Sequence, residues 1–264
     1  MRVLSLACLL YLTIIQQVFA CDKPITISYG PYVSSMVVDT YFGQFHKNLQ
    51  ASTGCDVEFR IQQDFEQFIE ALFRREAALS LVPGPYFNII KSLGYVAVSS
   101  QILAAPRFTY VVAKKETLLF NLNDLKGRTV LAASPYASSG SFFLQALINE
   151  NLSDQVQIQY GYSYDRMIMD VLKNGTDAAV LIEEYWALVD PRLKTHHLNV
   201  VAKLSSNASS EFVILEERQH LATVILDALQ ASKLKWGPPL KEAVGSNALD
   251  QLLRDKLFEF KNSQ

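Results

Sequence analysis

Val130-Leu131-Ala132-Ala133-Ser134-Pro135-Tyr136-Ala137-Ser138-Ser139-Gly140-Ser141-Phe142-Phe143-Leu144 is the stretch whose reading decides the fold class. Its apolar start reads as a buried strand, Ser134-Pro135 as a turn, and the run from Phe142 as an amphipathic helix near 142–149. A strand that hands the chain straight to a helix is the repeating unit of a wound α/β sheet. A helix start carries N–H groups without intrahelical partners and a partial positive charge. Ser138, Ser139 and Ser141 add hydroxyl donors there, and Gly140 lets an anion come close to the backbone. Such a turn holds an oxyanion without using a lysine or arginine. The same serines also read as ordinary helix caps. The stretch alone leaves both readings open.

Upstream, Ile25-Thr26-Ile27-Ser28-Tyr29 alternates as a strand and ends at Gly30-Pro31-Tyr32, followed by a helix over 37–52 that Gly54 stops. A second strand is expected over 57–61. A one-faced helix over 65–75 follows, with Phe65, Phe68, Ile69, Leu72 and Phe73 on its apolar side, and then a short buried strand over 78–82 ending at Pro83-Gly84-Pro85-Tyr86. This β-α-β-α-β order implies parallel strands with right-handed crossovers, and ligands gather where such strands end. Downstream, a strand over 108–113 precedes a second series. It comprises the strand at 129–133, the serine turn, a strand at 155–160, a helix at 164–173, and a buried strand at 178–182 running into Glu183-Glu184. Strands at 198–204 and 211–215 bring the chain back, and helices at 219–234 and 248–260 are expected to pack on the first half.

Two copies of one wound arrangement predict two lobes, each a mostly parallel sheet flanked by helices, joined by a two-stranded hinge that permits closure over a ligand. The expected division is 21–107 plus 205–264 for the first lobe and 108–204 for the second. Residues 1–20 have a basic start, an apolar core and small residues before Cys21, the pattern of a secretory signal peptide. Without them 244 residues remain, with a net charge near −3 and no basic stripe, which argues against nucleic acid as a partner. Cys21 and Cys55 each precede an expected strand, so a disulfide between them is one reading. Lipidation of Cys21 directly after the cleavage site is the other.

Five places make the chain similar to a known family, the type II periplasmic solute-binding proteins of the phosphonate- and phosphite-binding branch. These are Tyr29-Gly30-Pro31-Tyr32, Thr53-Gly54-Cys55-Asp56-Val57, Pro83-Gly84-Pro85-Tyr86, the Asp124-Leu125-Lys126-Gly127 element with the serine loop after it, and Asn174-Gly175-Thr176-Asp177-Ala178. The resemblance implies a periplasmic protein that captures a small oxyanion (a phosphonate, phosphite or phosphate ester) for an inner-membrane ABC permease. It also implies that Ser138, Ser139, Gly140 and Ser141 bind the anion, through hydroxyls and the N–H groups of 139–141. Tyr29, Tyr32, Tyr86, Tyr110 and Tyr164 stand at strand ends and are expected to line the cleft, each with a core-filling alternative. Glu183 is the candidate for an amine on the ligand, or else a helix-start acid, and Arg107 is a candidate cation at the hinge.

The chain departs from the family pattern at Ala77-Ala78, where an acid is usual, and at Tyr162-Ser163-Tyr164, where a Gly-Ser-His segment is common. His46, His196, His197 and His220 are scattered, and no nucleophile elbow, P-loop or dinucleotide fingerprint is present, so no catalysis, metal or cofactor is expected. A monomer is expected. The rival reading keeps the fold but makes it the periplasmic partner of a membrane sensor, a kinase or cyclase.

Overall fold

A computed structural model gives the fold and describes residues 24–31, 35–101, 107–161, 163–206, 209–232, 236–237 and 246–263. The signal-peptide reading, Cys21, Tyr32 and Tyr162 lie outside these residues. The first β/α series folds as anticipated. Strands β1 (Ile25–Tyr29) and β2 (Val57–Ile61) run parallel, in register from Ile25↔Val57 to Tyr29↔Ile61. Helix α1 (Ser35–Thr53) joins them, and α2 (Phe65–Phe73) leads to β3 (Leu79–Pro83), parallel to β1. Asp64 caps α2 by accepting from Gln67 N–H, and the five apolar positions read from its spacing are all buried.

Three elements in this half were not expected. Helix α3 (Gly84–Ile90) begins directly after β3, because a proline in the first turn suits a helix start as well as a turn. Strand β4 (Tyr95–Gln101) and the short β11 (Trp236–Gly237) extend the sheet antiparallel. The first sheet has six strands in the order β11-β4-β10-β3-β1-β2, with β10 (Ser210–Leu215) antiparallel to both its neighbours.

The second sheet has five strands, β7-β6-β8-β5-β9. Strands β6 (Thr129–Leu131), β7 (Gln157–Gln159) and β8 (Ala178–Ile182) form its parallel wound part. Strand β5 (Phe108–Lys114) pairs antiparallel with β8, and β9 (Leu198–Ser205) pairs antiparallel with β5. The parallel character therefore belongs to the wound strands of each sheet. The strands that carry the chain into or out of a sheet add antiparallel ladders.

Each sheet is covered on both faces by apolar side chains. In the first, α1 and helix α8 (Ala222–Gln230) close over Ile27, Phe212 and Ile214, while α2, α3 and the C-terminal helix α9 (Asn247–Asn262) cover Val82 and Val213. In the second, helices α4 (Ser138–Asn149) and α5 (Tyr164–Leu172) lie on opposite faces, and the short α7 (Pro191–His196) leads into β9. The chain passes between sheets after Gln101 and returns after Ser205, and Ser206 N–H donates to Arg107 carbonyl at 2.8 Å, tying the two crossings together. α9 does more than pack on the first lobe. It also touches α4 of the second, where Gln145 Oε1 accepts from Ala248 N–H at 3.1 Å.

Candidate functional site

Strand β6 ends at Leu131, and Ser134 builds the turn that follows: its Oγ accepts from Tyr136 N–H and its carbonyl from Ala137 N–H. Helix α4 then starts at Ser138, earlier than the apolar periodicity indicated. Its N-cap is Ala137, which has no side-chain acceptor to offer, and no acid stands in the first turn. The first intrahelical bond is Ser141 N–H to Ala137 carbonyl, at 2.9 Å. The N–H groups of Ser138, Ser139 and Gly140 are therefore the unsatisfied donors of this helix start, with no acceptor among the described residues. The expected set, 139–141, is shifted by one because the helix begins at Ser138.

The serines divide by role. Ser139 is fully buried, and its Oγ lies 3.3 Å from Tyr164 OH. Ser141 is equally buried, but its Oγ donates to Ser138 carbonyl at 3.0 Å, a bond within the helix turn, so the hydroxyl does not serve as the anion donor expected of it. Ser138 is half-buried. Gly140 is required by space: a Cβ there would sit 2.0 Å from Ser134 carbonyl oxygen. The turn folds back on the helix so closely that only hydrogen fits.

The tyrosines also divide. Tyr164 joins the loop, and burial pushes its hydroxyl up to about 12, with the contact to Ser139 opposing, so it stays a protonated donor near neutral pH. Tyr86, fully buried in the first lobe on α3, donates its hydroxyl to Tyr136 carbonyl at 2.9 Å, and Tyr136 packs against the apolar cluster of that lobe. The serine loop is thus held from across the lobe boundary. Tyr29 does not line this place. It is fully buried in the first core, packed on Phe42, and shares a 2.8 Å hydrogen bond with His46, whose burial lowers its pKa below the usual value. A tyrosine facing inward at the end of β1 fills the core because α1 closes over that face.

Tyr110 stacks on Trp186 with ring centres 5.8 Å apart, and Lys203 Nζ stands 5.6 Å from its ring. It packs with Trp186 against the same apolar cluster as Tyr164, and no hydrogen bond joins it to the serines among the described contacts. Glu183 accepts from Phe108 N–H at 3.2 Å, and Glu184 pairs with Arg107 at 3.0 Å. These acids tie helix α6 (Glu183–Leu188) to the hinge. Both are engaged within the protein, and neither forms a free amine acceptor here.

Sequence reasoning missed Tyr136, whose backbone carbonyl rather than its side-chain type creates the contact, and Glu211, a buried acid in an apolar strand. Among the described residues no cluster of His, Cys, Asp or Glu could hold a metal, and no helix is long and apolar enough to cross a membrane.

A family described as the periplasmic substrate-binding protein of an ABC transporter for phosphonate matches residues 27–257. The chain belongs to this family. The family is one of periplasmic transport proteins, not enzymes, and implies an inner-membrane permease as partner. The fold is similar to that of PhnD1 from Prochlorococcus marinus in complex with methylphosphonate, with a TM-score of 0.65 and 14% identity, covering 92% of this chain and 99% of that one. It is also similar to a binding-protein component of an ABC phosphonate transporter from Pseudomonas aeruginosa, with a TM-score of 0.63, 15% identity and 92% and 98% coverage. The aliphatic sulphonate binding protein SsuA from Escherichia coli aligns at a TM-score of 0.55 and 15% identity, over 91% and 92%. No curated protein sequence matches this chain.

Proposed function

We propose that this periplasmic substrate-binding protein captures a small tetrahedral oxyanion, a phosphonate, phosphite or phosphate ester, at the start of α4 and presents it to an ABC permease. The observation that carries the reading is the uncapped helix start: Ala137 at the cap, and the N–H groups of Ser138, Ser139 and Gly140 without an acceptor. The capping alternative fails on this observation, because the serines lie inside the helix and not at its cap. An anion there accepts three backbone N–H groups, the hydroxyls of Ser138 and Ser139, and the field of a 12-residue helix. Hydrogen bonds to a charged acceptor contribute roughly 1.5–3 kcal/mol each, enough for micromolar binding after association costs. Methylphosphonate and aliphatic sulphonate, named for two structural neighbours, share the tetrahedral oxyanion such a turn fits.

The family favours transport over the sensor role. We also assign residues 1–20 as an export signal, and Cys21 as the partner of Cys55. Cys55 is disulfide-bonded, and the parallel pair Ile25↔Val57 puts the starts of β1 and β2 at one sheet end. A lipid thioether on Cys21 would use the same sulfur, so the disulfide reading displaces the lipoprotein one.

The test is a thermal-shift and calorimetric series with methylphosphonate, phosphite, phosphate and methanesulphonate. A ligand at a hundred times its Kd stabilises by about 2.7 kcal/mol, which is roughly 5–10 °C for a chain of this size. Silence toward every oxyanion, with a shift from a neutral compound instead, overturns the reading. Intact mass under non-reducing conditions, two hydrogens below the reduced form, checks the disulfide.

A further inference from the structure

Alternation along a strand gives β1 and β3 two faces. Ile27, Leu79 and Leu81 point into the cluster closed by α1, so Ser28 and Ser80 point to the opposite face. Val82, next on that face of β3, packs in the cluster that holds Leu72 of α2. The two serines are register partners, and Ser28 is also the partner of Arg60 on the edge strand β2. A row Arg60-Ser28-Ser80 therefore crosses three strands at one level on the α2 face.

Ser28 is 3% exposed and Ser80 has no exposed surface, yet neither Oγ has a hydrogen-bond partner. Buried hydroxyls are ordinarily paired, because one left unpaired has lost its water for nothing. Both open on a cavity that they line together with Arg60, Gln62, Leu72 and Glu76, with space for about one water-sized particle. The lining selects the occupant. Ser28, Ser80, Arg60 and Gln62 all have hydrogens to donate, and Arg60 has no ion pair among the described residues. The one acid, Glu76, is already engaged by Arg74 at 3.5 Å. A metal ion would meet the guanidinium with no free carboxylate beside it, and a tetrahedral oxyanion is too large. Water and a monatomic anion both fit, and the charge beside the hydroxyls favours the anion.

We propose that Arg60, Ser28 and Ser80 form the seat of a single chloride ion beneath the end of α2, tying the edge strand β2 to β1 and β3. The seat lies in the first lobe and uses no residue of α4, so it does not depend on the oxyanion reading. The full chain is exchanged near neutral pH into sodium gluconate, whose bulky anion cannot enter. Gluconate is then replaced by chloride or bromide at constant ionic strength, and the melting midpoint is followed. The midpoint should rise saturably by about 3 °C. The rise should vanish in the double variant Ser28→Ala/Ser80→Ala and shrink in Arg60→Gln. Crystals grown in bromide should show anomalous density between the two serine hydroxyls.

The direction of the serine effect is a second readout. With an ion seated, the double variant melts below the parent in chloride. With an empty cavity it melts above the parent, because two unpaired buried hydroxyls have been removed, and the seat is overturned. A double variant that melts lower by the same amount in all three salts indicates bound water and also overturns it. So does a halide response that survives in the double variant and vanishes in Ala137→Asp, which would place the ion at α4. The bromide crystal needs no variant: no anomalous density at the serines overturns the seat even if the double variant fails to fold.

Discussion

Two helices of the second sheet start in nearly the same way, and one is capped while the other is left open. Both follow a parallel strand, α4 after β6 and α5 after β7, and both have serines at the junction. At α5 the serine is the cap itself: Ser163 Oγ accepts from Arg166 N–H at 3.4 Å, and Asp165 sits in the first turn. That helix start is satisfied by its own sequence. At α4 the cap is Ala137, the first turn has no acid, and Ser141 spends its hydroxyl inside the helix. What separates a capped helix start from an open one is a single position in register, not the number of serines.

The strongest way to break this contrast is Gly140→Ala. The added methyl cannot share space with Ser134 carbonyl, so the turn must move away from the helix. Overpacking of this kind costs about 3 kcal/mol, and it removes the close approach on which anion capture depends. Urea denaturation should show the lower midpoint at an unchanged slope, and calorimetry should find no anion binding. A variant as stable as the parent would mean the turn relaxes freely, and the argument for a shaped cradle would fail.

Converting one helix start into the other is the sharper experiment. Ala137→Asp supplies α4 with a cap and a resident negative charge. Stability should rise by about 1 kcal/mol, while affinity for methylphosphonate falls roughly 100-fold because the donors are already taken. The mirror variant, Ser163→Ala, should cost about 1 kcal/mol of stability and leave affinity unchanged. If Ala137→Asp gains stability and binds as before, the anion sits elsewhere. Tyr164→Phe is milder: it removes the hydroxyl beside Ser139 Oγ and should weaken binding by about 5-fold, the loss of one neutral hydrogen bond.

The same contrast shows what could be read from sequence and what could not. Strands β1, β2 and β8 were legible to the residue because alternating or continuous apolar runs stop at Gly, Asn or acidic turns. The serine loop was legible as a place but not in detail, since one residue of helix register reassigned the free N–H groups and disarmed Ser141. Strand β4 escaped because its second half, Ser99-Ser100-Gln101, is polar, and it becomes sheet through pairing with β10 and β11, over a hundred residues away. Glu211 escaped for a related reason. An acid at the start of Glu-Phe-Val-Ile-Leu looks like a solvated strand end until β3 and β4 close on both sides of it. Tyr29 and Tyr164 are the same residue type at comparable boundaries, one in the core and one at the loop. Composition holds no signal that separates them.

The least conspicuous consequence of an uncapped helix start is an absence of titration. Three backbone N–H groups have no pKa in the accessible range, and the hydroxyl of Tyr164, held up to about 12 by burial, remains a donor well above neutrality. Glu211, the acid with a value near 7, is already ionised above pH 8. Between pH 8 and 9.5 the binding of a permanently monoanionic ligand such as methanesulphonate should therefore change by less than about 2-fold. Had a histidine supplied the attraction, affinity would fall as it lost its proton, tenfold per unit in the limit. A flat profile, measured by calorimetry at constant ionic strength, distinguishes a helix start from a titrating imidazole even where both bind equally well at neutral pH. A falling profile would require a charged side chain to reach the anion, and the comparison between α4 and α5 would then no longer explain binding.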